Sequence, residues 1–247
     1  MFTHRLFIGQ KNYSSWSLRP WLLLKEMGIN FDECPVVVAG KGHHSGLHFS
    51  YSPSGVVPVL HGPDGLQVWD SLAICEWAAE QPGCARAWPA DARARAVARS
   101  LAAEMHSGFS AVRSTMSCNI KMARTTPLAL DAATAAEVAR IEAAWGGARR
   151  EFGARAGGPY LFGGFTAADA MFAPVAFRFQ TYGVTLRDSD AEEYCRALLA
   201  NKFMREWEEL ALVEGDAIEH YDRHALERGA DLRRPAPPAA PPAAAAE

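Results

Sequence analysis

Across residues 81–89 the chain changes character. Before that stretch, short apolar runs alternate with turns rich in Gly, Pro and Ser. After it, the sequence is rich in alanine and arginine and carries no strand signal. A strand pattern repeats every two residues and a helix pattern about every 3.6, so the switch separates two packing layers. The fold class that follows is α/β + all-α. The prolines and glycine of the stretch mark a linker, placing an α/β domain at 1–82 and an all-helical domain at 90–225. At 247 residues, the chain is long enough for each part to bury its own core.

In the first part, Leu6, Phe7 and Ile8 suit a buried strand, and Gly9 begins a polar turn that runs through Ser15. From Ser17 the pattern is helical. Leu18, Trp21, Leu22 and Met27 share a broad face, and Gly28 is placed to end the helix. Pro20 then falls in the first turn, where its missing N–H has no helical acceptor. Phe31 to Val38 reads as a second strand whose Pro35 suits a sheet edge. Residues 57–60 and 66–69 read as strands around the turn Gly62-Pro63-Asp64-Gly65, and Ser71 opens a helix through Ile74 and Ala78.

In the second part, Val97, Leu101, Met105, Phe109, Val112 and Met116 recur at three- and four-residue steps and predict one long amphipathic helix. Val138, Ile141, Trp145 and Phe152 mark a second, and Thr166 to Tyr182 a buried third. Ser189 to Glu192 reads as a capping box for a fourth, and Phe203, Trp207 and Leu210 stripe a fifth. From Gly229 the chain passes into Pro and Ala, a composition that builds no core, so 229–247 is expected to be a disordered tail.

A formal charge of −3 gives no reason to expect nucleic acid or an anionic membrane as partner. No run is apolar enough to span a bilayer, and Met1 to Gln10 lacks a signal-peptide core, so a cytoplasmic address is expected. Five scattered cysteines without C-x-x-C spacing argue against disulfides or a zinc site. His43, His44 and His48 share a loop but lack a second ligand group at metal-binding spacing, so no metal is expected.

Four short features stand in order along the chain. The first is the turn Asn12-Tyr13-Ser14-Ser15-Trp16-Ser17-Leu18-Arg19. Next come Val57-Pro58, then Asp70-Ser71 at a helix start, and finally Thr166-Ala167-Ala168-Asp169. Together they resemble the cytosolic glutathione S-transferases, nearest the zeta-like, maleylacetoacetate isomerase-like bacterial members. The turn is similar to the zeta Ser-Ser-Cys-x-x-Arg signature, with Trp16 where that signature has cysteine. The resemblance spans roughly Leu6 to Leu212. It implies an N-terminal thioredoxin-like domain followed by a C-terminal all-helical glutathione transferase domain, with glutathione as co-substrate. It also implies a homodimer and a detoxifying role.

The chemistry is intelligible. A free thiol titrates near pH 8.5, so glutathione at neutral pH is mostly unreactive thiol. A hydroxyl at a strand-to-helix turn, beside the free N–H groups of a helix start, stabilises the thiolate. The resemblance assigns this to Ser14, with Ser15 as the neighbouring catalytic serine. Serines at such a turn also serve as plain caps. By resemblance, Val57 and Pro58 meet the cysteinyl part of glutathione, Asp70 and Ser71 the γ-glutamyl part, and His43 the glycyl end. Thr166 and Asp169 are a structural box.

The second substrate, a small electrophile, is expected between the two parts. Met105 and Phe109 would form an apolar wall, and Arg113 would orient an anionic acceptor. Two alternatives remain open. One is a maleylacetoacetate-type glutathione-dependent isomerase, against which Trp16 and Thr181 weigh, with Arg178 one helical turn away as a substitute. The other is a non-catalytic module with the same fold.

Overall fold

A computed structural model describes residues 4–37 and 50–233. His43, His44 and His48 lie outside the described residues.

Leu6 and Ile8 alternate toward one face of β1 (His4–Ile8) and are almost fully buried. The chain then enters α1 (Ser15–Met27) and returns as β2 (Phe31–Pro35), parallel to β1. β3 (Val59–His61) pairs antiparallel with β1, and β4 (Gln67–Val68) antiparallel with β3. The sheet order is β2-β1-β3-β4, so β2 is an edge strand and Pro35 ends it, as its missing N–H requires. The β3–β4 turn closes through Gly65 N–H to the Gly62 carbonyl at 3.2 Å, with Gly65 at φ +86°. This is a thioredoxin-like sheet, and α2 (Ser71–Ala79) completes it.

Several local expectations are corrected. α1 begins at Ser15, two residues earlier than the apolar pattern suggested, so Pro20 lies in its second turn and leaves one carbonyl, that of Trp16, without its i+4 donor. The predicted long helix is broken. α3 (Ala92–Ser107) stops at Gly108, Phe109 takes a left-handed backbone at φ 58°, and α4 (Ser110–Thr115) restarts beyond it. A Cβ on Gly108 would stand 2.8 Å from the Glu104 carbonyl oxygen, so a glycine suits this tight turn-off.

The helical part continues through α5 (Ala132–Ala148), a π-helical turn, the short α6 (Ala154–Ala156) and α7 (Ala167–Tyr182). α7 is buried along nearly its whole length. Its start is tied by Asp169, which accepts from the Thr166 N–H at 2.7 Å, the Thr166 hydroxyl at 2.8 Å and the Leu161 N–H at 3.1 Å. α8 (Ser189–Leu199) is capped by Asp188 rather than by Ser189, since the Asp188 side chain accepts from the Asp190 and Ala191 N–H groups. α9 (Lys202–Val213) carries Trp207 into the core.

Two features went unread in the sequence. α10 (Glu219–Glu227) follows α9, and β5 (Met122–Ala123) pairs with β6 (Leu232–Arg233), beyond the point where a tail was expected. Ala230 between them is fully buried.

The two parts dock through α1. Its Trp21 packs edge-on against Trp207, and Arg19 Nε donates to the Met171 carbonyl of α7 at 3.2 Å. Lys25 pairs with Glu206 at 2.8 Å. Among the described residues, no helix is long and apolar enough to cross a membrane.

Candidate active site

A cavity of about 240 Å³ opens where the two parts meet. The α/β part contributes Ser14, Ser15 and Trp16 from the start of α1, together with Val57. The helical part contributes Arg113 of α4, Arg178 of α7 and Tyr221 of α10. The Val57–Pro58 peptide is cis, as is Trp69–Asp70.

Ser14 occupies the N-cap position of α1, yet its side chain makes no capping bond. Its hydroxyl instead donates to Ser17 Oγ at 2.7 Å, and Ser17 Oγ also accepts from the Gly9 N–H at 3.1 Å. The first-turn N–H groups of α1 are therefore left uncapped by that serine, the polarity that favours an anion. Ser15 is the first helical residue. It is buried, and its Oγ accepts from Arg178 Nη2 at 3.3 Å.

Trp16 lies between cations. The Arg19 guanidinium is 4.1 Å from its ring centroid and that of Arg113 is 4.6 Å. Its edge meets the His106 ring at 5.5 Å between centroids. Arg19 and Arg178 are buried, and neither they nor Arg113 forms an ion pair among the described residues. Burial, with the neighbouring Arg113 and Arg178, pushes the Arg19 guanidinium well below its ordinary pKa. Burial and Arg178 bring Arg113 down to about 10. At about 10 the Arg113 guanidinium is cationic at neutral pH, so this wall is electropositive.

Residues 13–81 match the model of the glutathione S-transferase N-terminal domain, and residues 131–209 match that of the glutathione S-transferase C-terminal domain. Together they take in more than half of the chain. The chain belongs to the glutathione S-transferase family. A glutathione transferase homolog from Burkholderia with bound glutathione is similar at TM-score 0.60 and 23% identity, over 85% of this chain and 98% of that one. The Tau class glutathione S-transferase of mango, Mangifera indica, is similar at TM-score 0.63 and 16% identity, over 91% and 98%. Ure2p in complex with S-hexylglutathione gives TM-score 0.64 and 16% identity, over 83% and 98%. At these identities the likeness is one of fold. No curated protein matches the chain.

Within this transferase fold the expected site residues divide. Ser14, Ser15, Val57 and Arg113 line the cavity together. Pro58 is buried behind Val57, and Asp70 and Ser71 lie at the start of α2, outside the cavity lining. Asp70 Oδ1 caps α2, accepting from Leu72 N–H at 3.0 Å and Ala73 N–H at 3.4 Å, and its Oδ2 is hydrogen-bonded to His106 Nε2. The Ser71 hydroxyl is fully buried and has no hydrogen-bond partner among the described residues. His43 falls outside the described residues.

Met105 and Phe109 are buried in the hydrophobic core and are not among the residues lining this cavity. The single-helix face drawn through them does not exist, because α3 ends between them and Phe109 leads into α4.

Several cavity residues escaped the sequence reading. Tyr221 belongs to α10, which no periodicity announced, and Ile218 stands at its N-cap position. Cys118 also lines the cavity, but burial raises its pKa, which favours the neutral thiol. Tyr13 brings a further hydroxyl to the turn. It donates to Asp222 at 2.9 Å and accepts from the Ile218 N–H at 3.2 Å, and burial raises its pKa. A phenol held in that way is not poised to stabilise a thiolate.

Proposed function

We propose that the chain conjugates the thiolate of glutathione to a small electrophile in this cavity. A serine hydroxyl at the start of α1, Ser14 or Ser15, hydrogen-bonds the sulfur and favours its ionised form. The observation that carries the reading is the convergence of uncapped α1, its two serines, Val57 beside cis Pro58 and a wall of arginines on one cavity. The helix terminus and the guanidiniums both favour an anionic sulfur. Val57 offers backbone groups to the cysteinyl unit as an added strand would. Asp70 and Ser71 receive the γ-glutamyl end and Arg113 orients the acceptor.

A glutathione-dependent isomerase of the maleylacetoacetate type draws on one observation. Arg178 lines the cavity, whereas Thr181 does not, its hydroxyl donating to the Asn119 carbonyl at 2.9 Å. Arg178 is thus placed to meet an anionic substrate. The transferase reading asks less of the substrate and is preferred.

Retention on immobilised glutathione, with glutathione-dependent turnover of an aryl halide, tests the proposal. Retention with no turnover of either an aryl halide or maleylacetoacetate would favour a non-catalytic binding module. Absence of retention and turnover would defeat the reading.

A further inference from the structure

We propose that Ser15 is the hydroxyl that donates to the bound sulfur, and that Arg178, reaching across from the helical part, is its positioning residue. This rests on the transferase reading above and decides between its two serines. Each serine hydroxyl has one proton to give. That of Ser14 is committed to Ser17 Oγ at 2.7 Å. Ser17 Oγ is itself held by the Gly9 N–H at 3.1 Å, so this short chain fastens the turn to the end of β1.

Ser15 is bonded in the opposite sense. Its Oγ accepts from Arg178 Nη2 at 3.3 Å, and its own proton has no acceptor among the described residues. A cation bonded to the lone pair of a hydroxyl polarises the O–H bond and makes it a stronger donor. Both residues line the cavity, so the free proton of Ser15 has room to meet a sulfur.

Arg178 is fixed for this task. It is 8% exposed, Nη1 donates to the Met116 carbonyl, and no carboxylate pairs with it among the described residues. An unpaired guanidinium this deep is costly unless an anion joins it. The glutathione thiolate, carried on the far side of the Ser15 hydroxyl, supplies that charge. The arrangement makes thiol activation depend on docking of the two parts, since α1 holds the donor and α7 the cation.

The pKa of bound glutathione, read from thiolate absorbance against pH, tests the assignment in Ser14→Ala, Ser15→Ala, Arg178→Gln and Arg178→Lys. Ser15→Ala and Arg178→Gln are expected to raise the bound thiol by about 1 to 2 units, with a much smaller shift in Ser14→Ala. Arg178→Lys should recover part of the loss. The double variant Ser15→Ala/Arg178→Gln should be little worse than Ser15→Ala alone, because the arginine acts through the serine. A larger shift in Ser14→Ala than in Ser15→Ala overturns the assignment, and that comparison stands even if Arg178→Gln does not fold. Additive shifts in the double variant overturn the role of Arg178. Either result leaves the transferase reading intact, whereas a wild-type protein that binds no glutathione overturns both.

Discussion

The Asp70 carboxylate is divided between two tasks: Oδ1 caps α2, and Oδ2 is bonded to His106 of α3, across the boundary between the two parts. The residue proposed for the γ-glutamyl ammonium therefore also holds local structure, and two substitutions separate the roles. Asn caps helices as well as Asp does, so Asp70→Asn should leave stability within about 0.5 kcal/mol while raising KM for glutathione. Asp70→Ala should raise KM and also cost about 1 kcal/mol in denaturant unfolding. An unchanged KM in Asp70→Asn would remove this carboxylate from the glutathione site.

Trp16 separates the guanidiniums of Arg19 and Arg113 and presents a π face to each. Trp16→Ala removes both faces and brings two poorly compensated cations closer together. We expect a loss of about 2 kcal/mol, measured as a shift of the urea midpoint. Trp16→Phe, which keeps an aromatic face, should recover much of it.

Asp169 makes stability depend on pH in an uncommon direction. Burial raises its carboxyl to about 6, against hydrogen bonds from Thr166 and Leu161 that pull it down. The folded state then holds this proton more tightly than the unfolded chain does, so its contribution is fully present at or below the ordinary carboxyl pKa of 3.8. That contribution is lost as pH rises through about 6. The unfolding free energy, measured across this window, should show a falling component that is absent in Asp169→Asn. The variant itself should lose about 2 kcal/mol at neutral pH, since the amide cannot accept all the bonds the carboxylate does.

His224 has the opposite sign. Burial depresses its imidazole below the ordinary 6.5, and its Nδ1 and Nε2 meet Ser117 Oγ at 3.0 Å and the Ser114 carbonyl at 2.8 Å. Its contribution to the docking of α10 is fully present above pH 6.5 and is lost as pH falls through the lowered folded value. Amide exchange in α10 should accelerate, relative to the core of α7, as pH falls through that range. His224→Gln should flatten the difference.

The two-part fold was legible because the period of the apolar residues changes once, near the linker, and because Pro35 and Gly28 mark a strand edge and a helix end. The break at Gly108 was not, since Met105, Phe109 and Val112 keep helical spacing through it; the interruption lies in the backbone of Gly108 and Phe109. α10 escaped for a different reason. Ala225 is its buried residue, too small a signal to read as an apolar stripe. At the site, Ser14, Ser15 and Val57 could be read from local motifs. Arg178 as the bonding partner of Ser15 could not, because 163 positions separate them and no periodicity encodes a contact between distant segments.

A crystal structure of the protein with glutathione tests the central claim most directly. The account predicts the tripeptide in the cavity between the two parts, its cysteinyl backbone paired with Val57 and its sulfur within about 3.5 Å of a serine hydroxyl at the start of α1. Glutathione bound elsewhere, or with its sulfur out of reach of both Ser14 and Ser15, would contradict it.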